Sequence, residues 1–107
     1  MAEKKIKRVL IKLSGEALSG GGSEIYDGSF VDHVAAALKT CTEKGYEIAV
    51  VVGSGNIWRG RQGGEMDRTL ADRMGMLATV INSIYLKDAL ERVGTPAAVL
   101  TSVPMSP

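Results

Sequence analysis

Two glycine-rich turns, each directly after a short apolar run, constrain the fold of this chain most strongly. The run V-L-I-K-L at residues 9–13 leads into S-G, and the run I-A-V-V-V at residues 48–52 leads into G-S-G-N. Continuous apolar and β-branched runs of this length are typical of buried parallel strands. Glycines let backbone amides approach a ligand closely, and each turn has a cation nearby, Lys12 or Arg59. The two turns therefore predict a phosphate-binding edge where parallel strands end.

The composition is that of one modest globular domain. The chain has 107 residues, of which 45% are hydrophobic and 23% charged, and we expect a single domain over residues 1–107. A net charge of +1 gives no field that favours nucleic acid or an anionic membrane. No apolar stretch approaches membrane-spanning length, and the basic N-terminus lacks the apolar run of a signal peptide. Cys41 is the single cysteine, which excludes an intrachain disulfide and fits a cytoplasmic setting.

A strand at residues 8–12 and a helix after a glycine-rich loop form the first predicted unit. Ser29 resembles an N-cap, with Asp32 three residues later in a capping-box pattern. Four apolar residues at helical spacing predict the buried face of this helix: Phe30, Val34, Leu38 and Cys41. Gly45 is placed to end the helix as its C-terminal cap.

Two further strands and a long helix complete the predicted order. Residues 48–52 indicate a strand covered on both faces, and residues 69–93 a helix that is apolar around most of its circumference. Gly94 is placed to end that helix and Pro96 cannot continue it, so residues 97–103 are predicted to form a third strand. Alternating strands and helices predict an α/β fold with a mainly parallel sheet and right-handed crossovers.

Common nucleotide and metal signatures are absent or incomplete. No G-x-x-x-x-G-K-[ST] motif occurs, which excludes a Walker-type loop at the level of motif. Gly53 and Gly55 begin a G-x-G-x-x-G pattern, but Trp58 stands at the third glycine position, so a dinucleotide site is a weak alternative. His33 is the only histidine and no cluster has metal-ligand spacing, so no protein-bound metal is expected.

Three segments resemble the amino-acid kinase family, and the third points to its bacterial UMP kinases. Residues 12–18 (K-L-S-G-E-A-L) are similar to the family's opening motif, and residues 53–60 (G-S-G-N-I-W-R-G) to its G-G-G-N-x-x-R-G turn. Residues 72–82 (D-R-M-G-M-L-A-T-V-I-N) resemble the segment D-x-M-G-M-L-A-T-x-x-N of UMP kinases. The resemblance implies a three-layer α/β/α sandwich with a mainly parallel sheet, of which this chain would be the N-terminal, acceptor-binding half.

The resemblance implies phosphoryl transfer from ATP to UMP, with Mg²⁺ bound with the ATP. Lys12 would stabilise the transferring phosphate and Arg59 would bind near the acceptor phosphate, and both would be catalytic. Six residues would bind the ATP phosphates: Lys12, Leu13, Ser14, Gly15, Gly55 and Arg59. Four would bind UMP, the last of them at the ribose hydroxyls: Ser54, Gly55, Arg59 and Asp72. Positioning and electrostatics dominate phosphoryl transfer, so these residue types fit such a site.

The resemblance also implies features beyond the phosphate site. Members of the family are more than twice as long, so we expect the chain alone to be inactive, since half a site loses positioning. The long helix is expected at a subunit interface, in dimers that assemble to a hexamer, through six apolar residues: Leu70, Met74, Leu77, Ile81, Ile84 and Tyr85. Lys87 and Arg92 lie where family members carry a GTP effector site. Ser54 replaces a glycine and Trp58 a smaller aromatic, and serine would put a side chain in the way if its position needed a positive φ or let UMP approach closely.

Alternative interpretations of the same residues stay open. Asp72 completes a T-x-x-D capping-box pattern with Thr69 and would then only start the helix. The acceptor could be that of a carbamate or acetylglutamate kinase, although residues 72–82 favour UMP. A non-catalytic chain that binds nucleotide weakly or only assembles is a further alternative, and a dinucleotide-binding module would predict NAD binding.

Overall fold

The structure, a computed structural model, describes residues 7–58 and 64–101 and has an α/β fold. Within these residues it contains two strands and three helices: β1 (Lys7–Leu13), α1 (Gly15–Leu18), α2 (Gly28–Glu43), β2 (Tyr46–Val52) and α3 (Arg68–Arg92). β1 and β2 pair in parallel, in a register that sets Lys7 beside Tyr46 and Leu13 beside Val52. α2 lies in the crossover that a parallel pair requires. The predicted α/β class with a parallel sheet is confirmed.

Both long helices lie on one face of the sheet. Alternate strand residues point to this face, where Ile11 and Leu13 pack against a buried core: Leu18, Val31, Ala35, Leu38, Val52, Leu86, Ala89 and Leu90. The opposite face is open, with Leu10 63% and Val51 51% exposed. The prediction that residues 48–52 are covered on both faces is therefore wrong within this chain. An apolar run indicates that a strand is suited to burial, but the layer that covers it has to come from elsewhere.

The N-caps of both long helices are aspartates that the sequence patterns did not select. Asp27 caps α2 in place of Ser29, and Asp67 caps α3 in place of Thr69. Their carboxylates accept hydrogen bonds of 3.0 and 3.1 Å from the amide three residues further on. Aspartate and serine are about equally good caps, so the local sequence could not decide between them. Asp72 consequently lies in the second turn of α3 and takes no part in its cap.

The buried face of α2 is rotated from the predicted one. Val31, Ala35 and Leu38 are buried, whereas Phe30 is 40% exposed and Cys41 is only half-buried. The prediction weighted large apolar residues and passed over alanine. The small side chain of Ala35 permits close packing at the centre of the helix, so the face that contains it becomes the contact face.

The C-terminal ends of both helices follow the prediction. Gly45 follows α2 with φ +94°, and Gly94 follows α3 with φ +84°. This left-handed conformation is the one in which glycine ends helices. Near the second of these ends, Arg92 Nε bonds Asp88 at 3.0 Å and Arg92 Nη1 bonds Asp32 of α2 at 3.2 Å. The hydrogen bond to Asp88 and the charge of Asp32 raise the pKa of Arg92 and tie the end of α3 to α2.

The predicted third strand does not form within the described residues. Residues 97–101 carry no strand pairing, and residues 102–103 lie outside the described part of the chain. The segment from Thr95 to Leu100 instead lines a cavity of about 400 Å³ together with residues of α2, β2 and α3. A parallel ladder requires backbone hydrogen bonds between neighbouring strands, and among the described residues β1 is the only strand that pairs with β2.

Candidate phosphate-binding site

The two glycine-rich turns meet at the carboxyl ends of β1 and β2. The Gly53 amide donates a 2.9 Å hydrogen bond to the Leu13 carbonyl, which extends the pairing just beyond the strands. A Cβ atom built on Gly15 would lie 2.7 Å from the Ser54 carbonyl carbon and would overlap the Gly55 amide nitrogen. A Cβ atom on Gly53 would lie 3.2 Å from the Gly15 amide nitrogen. The structure therefore brings the two turns into backbone contact.

Close approach, and not an unusual backbone conformation, accounts for the glycines of these turns. Gly15, Gly53 and Gly55 do not have positive φ, and no non-glycine residue does in the described ranges. Ser54 thus has a conformation open to any residue, and the strain considered for a serine in this turn is absent. A side chain at Gly15, by contrast, would force the turns apart.

The first turn is held by a short helix, α1. Ser14 is its N-cap, and the Ser14 Oγ accepts a 3.2 Å hydrogen bond from the Ala17 amide. Leu18, at the end of α1, is fully buried in the core. The turn is therefore anchored by β1 on one side and by a core side chain on the other. This anchoring holds its backbone amides beside the second turn.

A buried asparagine in α3 holds the second turn from behind. Asn82 is fully buried, and its Nδ2 donates to the Gly53 carbonyl at 2.8 Å and to Asn56 Oδ1 at 2.7 Å. Its Oδ1 accepts hydrogen bonds from Tyr26 Oη at 2.7 Å and from Asn56 Nδ2 at 3.3 Å. Every hydrogen-bonding group of this side-chain amide is satisfied, as burial demands. The network fixes the turn relative to α3.

Sequence reasoning missed the role of Asn82, although a signal was present. The residue stands at helical spacing between Ala78 and Leu86, both of which are buried. A polar side chain at a core position of a helix must find hydrogen-bond partners in the protein. The asparagine within an otherwise apolar face therefore indicated that polar groups of a neighbouring segment form hydrogen bonds with it.

Stacked tyrosines close this network on the side of the loop before α2. The rings of Tyr26 and Tyr85 are 3.7 Å apart between centroids, with an angle of 2° between their planes. Burial, and after it the neighbouring Tyr85, raises the pKa of Tyr26. Tyr85 was predicted on the apolar interface face of α3, and this is wrong, because the ring packs against the core and Tyr26 instead.

Ser54 and Trp58, the two departures from the family pattern, contact each other. Ser54 Oγ donates a 3.0 Å hydrogen bond to the Trp58 carbonyl. The indole Nε1 of Trp58 donates a 3.0 Å hydrogen bond to the Ala71 carbonyl of α3. The second turn is thus attached to α3 at two places, through Asn82 and through Trp58.

Two of the charged residues expected at the site, Lys12 and Asp72, are exposed. Lys12 is exposed, one residue before the end of β1 and on the open face of the sheet. Asp72 is exposed on α3 and directly follows Ala71, to which Trp58 is bound. No ion pair joins Lys12 and Asp72 in the part of the chain that the structure describes. Arg59 lies outside the described residues, so its predicted position stays a prediction.

The arrangement has the chemistry of an anion site built mainly from backbone. Backbone amides of both turns, the Ser14 hydroxyl and the Lys12 ammonium group share one end of the sheet. Among residues 7–58 and 64–101, no three His, Cys, Asp or Glu side chains are grouped in a way that could hold a metal ion. Within the same ranges, no helix has the length and apolar character needed to cross a membrane.

Residues 7–106 match the sequence model of the amino acid kinase family. The chain belongs to this family.

Two solved structures are similar to the chain over most of its length. UMP kinase from Ureaplasma parvum is 40% identical with a TM-score of 0.77, in a match that covers 84% of this chain and 40% of that one. UMP kinase from Bacillus anthracis is 40% identical with a TM-score of 0.75, and the match covers 80% of this chain and 36% of that one. The predicted resemblance to UMP kinases is confirmed. The chain spans less than half the length of either relative.

Proposed function

We propose that this chain forms the acceptor-binding half of a UMP kinase, which transfers the γ-phosphoryl group of ATP to UMP. The observation that carries the proposal is the backbone contact between two glycine turns at the ends of adjacent parallel strands. Phosphoryl transfer requires a donor and an acceptor phosphate held in line and close together, and two adjoining amide-lined turns suit that task. The 40% identity to two UMP kinases supports UMP as the acceptor.

In this proposal each turn binds one of the two phosphates. The first turn binds ATP through the backbone of Leu13 and Gly15 and the Ser14 hydroxyl, and Lys12 stabilises charge on the transferring group. The second turn binds UMP together with Arg59, with Gly55 between the two phosphates. Four residues form the UMP side: Ser54, Gly55, Arg59 and Asp72, which accepts hydrogen bonds from the ribose. Mg²⁺ would be carried by the ATP phosphates, where it neutralises negative charge.

Nuclear magnetic resonance of the ¹⁵N-labelled chain tests this assignment. We expect UMP to shift the amides of residues 53–55 and 72, and Mg·ATP to shift those of residues 13–15, each in a saturable way. Lys12→Ala should weaken Mg·ATP binding because it removes a cation from the proposed site. Lys44→Ala, an exposed lysine after α2, is the matched control and should change nothing. No saturable shift in either turn at millimolar nucleotide would refute the proposal.

A coupled ADP-release assay with ATP, Mg²⁺ and UMP tests catalysis directly. We expect no UMP-dependent turnover from the 107-residue chain, which spans only 40% and 36% of its two relatives. Phosphoryl transfer depends on positioning both substrates, so a partial site should lose nearly all of its rate. UMP-dependent ADP release that Lys12→Ala abolishes would contradict this expectation and would confirm the reaction.

The rival acceptors can be separated in the same titration. If the chain came from a carbamate or acetylglutamate kinase, carbamate or acetylglutamate would shift the second turn and UMP would not. Asp72 directly follows Ala71, to which Trp58 of the second turn is bound, and a carboxylate there suits ribose hydroxyls better than a small acyl group. Saturation by UMP alone would favour the nucleotide assignment, and NAD would have no effect.

The apolar stripe of α3 is proposed to contact a second copy of the chain. Five side chains on α3 are 40–54% exposed at alternating spacings of four and three residues: Leu70, Met74, Leu77, Ile81 and Ile84. This is the spacing of a helix–helix seam. We propose a dimer through this stripe, as a step toward the expected hexamer. A GTP effector near Lys87 and Arg92 would have to compete with their ion pairs to Glu91, Asp88 and Asp32.

A further inference from the structure

Gly75 is a glycine inside α3 that the fold itself does not require. A glycine in a helix interior is less favourable than alanine, because it loses more backbone entropy on folding. Five described glycines have positive φ and so need glycine for their conformation: Gly20, Gly21, Gly45, Gly64 and Gly94. Gly15 needs it for close approach to the second turn. Gly75 is in neither class.

The protein around Gly75 leaves room for a side chain. A Cβ atom there would lie 3.6 Å from Trp58 Cδ1 and 4.0 Å from Ser54 Oγ, both ordinary van der Waals distances. Alanine would therefore fit without displacing either neighbour. The absence of a Cβ atom at this position gains nothing for the chain's own packing.

Three neighbours place Gly75 at the proposed acceptor site. Trp58 is held by its hydrogen bond to the Ala71 carbonyl, and Ser54 by its hydrogen bond to the Trp58 carbonyl. Asp72 precedes Gly75 by three residues, so the two are neighbours on the surface of α3. The bare helix backbone at Gly75 thus lies between an acidic side chain and the turn proposed to bind phosphate.

We propose that Gly75 is a specificity-determining position, at which the missing Cβ atom lets the sugar and base of a nucleoside monophosphate lie directly against α3. The inference rests on the proposed function, because the phosphate at residues 53–55 and the ribose at Asp72 set where the rest of the ligand lies. A methyl group at Gly75 fills that space. Alanine there weakens the nucleotide and leaves the phosphate contacts of the turns unchanged.

The test compares Gly75→Ala with Gly28→Ala in the 107-residue chain. Gly28 is the first residue of α2, and a Cβ atom there would lie 3.8 Å from Tyr85 Oη and within 4 Å of neither glycine turn. Gly75→Ala should raise the Tm by roughly 4–8 °C, because alanine is the better helix former. It should weaken UMP binding by about tenfold or more, as an added methyl group in a filled pocket does. Inorganic phosphate should bind both variants as it binds the parent chain, and Gly28→Ala should bind UMP normally.

The other possible outcomes refute either the proposed function or the inference about Gly75 alone. If the parent chain does not bind UMP, the proposed function fails, and this inference with it. If the parent binds UMP and Gly75→Ala binds it equally well, only the inference is refuted. A loss of Tm in Gly75→Ala would show that the fold needs the glycine. An equal loss of phosphate binding would show that alanine distorts the turn, and either result overturns the inference.

Discussion

Asn82 makes four hydrogen bonds from a fully buried side chain, and its replacement by leucine is the most informative single perturbation of this site. Leucine has a similar size, so the change removes hydrogen bonds without opening a large cavity. The Gly53 carbonyl, the Tyr26 hydroxyl and Asn56 Oδ1 each lose their Asn82 partner. Asn56 keeps its 2.9 Å hydrogen bond to the Ile25 carbonyl.

The magnitude follows from the three groups that lose a partner. A buried polar group without a hydrogen bond costs about 1–3 kcal/mol. Since all three groups are only partly buried, we expect Asn82→Leu to lower the free energy of unfolding by about 2–4 kcal/mol. That is a large share of the roughly 5–15 kcal/mol by which domains are stable. The turn should loosen first, because Asn82 is one of its two attachments to α3.

Urea denaturation followed by circular dichroism and by the fluorescence of the single tryptophan, Trp58, measures this loss. Ser83→Ala is the control, because the Ser83 hydroxyl bonds the Thr79 carbonyl of its own helix, and it should change the free energy of unfolding by less than about 0.5 kcal/mol. A double-mutant cycle with Asn56→Ala should give a coupling of about 0.5–3 kcal/mol. Wild-type stability in Asn82→Leu, or additive effects with Asn56→Ala, would refute the view that this network supports the turn.

Three further predictions follow from single contacts. Because folding raises the pKa of Tyr26, the stability linked to its neutral hydroxyl is complete below about pH 10 and is lost as the pH rises through the folded pKa. In urea titrations between about pH 9 and 11, Tyr26→Phe should therefore lose less stability than the parent chain, and equal slopes of stability against pH would contradict this. Gly15→Ala should lower the free energy of unfolding by about 1–3 kcal/mol and abolish the NMR shifts that phosphate causes, since its Cβ atom would lie 2.7 Å from the Ser54 carbonyl carbon. Unchanged phosphate binding by NMR would count against the contact between the two turns. Ile81→Glu, at a side chain 51% exposed, should leave the free energy of unfolding of the single chain within about 0.5 kcal/mol of the parent value but make the chain monomeric by analytical ultracentrifugation. A persisting dimer would exclude the stripe as its interface.

Much of the fold could be predicted from local sequence because the signals were local. The strands and the long helix were found by their apolar patterns, and Gly45 and Gly94 by the need for a left-handed residue after a helix. Cap positions were missed, since Asp27 and Ser29 compete within one turn and only the path of the incoming chain decides between them. The third strand was missed because pairing depends on distance to β2, and no pattern within residues 97–101 reports that distance.

The candidate site, like the fold, was only partly predictable from the sequence. Lys12 and Ser14 before Gly15, and the G-S-G-N run at residues 53–56, predicted phosphate-binding turns, and the third motif predicted Asp72 as their partner. The hydrogen bonds of Asn82 and the link between Ser54 and Trp58 were not recognisable, because they join residues from different elements. Serine in place of glycine would be strained only at a positive φ, which is a property of the folded backbone, and Ser54 does not have a positive φ.

The sequence by itself determined β1, β2, the two long helices, the family and the residue types available at the turns, since periodicity, glycine placement and residue type are properties of short stretches of chain. Only the tertiary structure decided that Gly15 touches the second turn, that Asn82 holds it, and that one face of the sheet stays open. These facts depend on how far apart two segments lie after packing. Distances of this kind are set by all the side chains between two elements together, and no single segment encodes them.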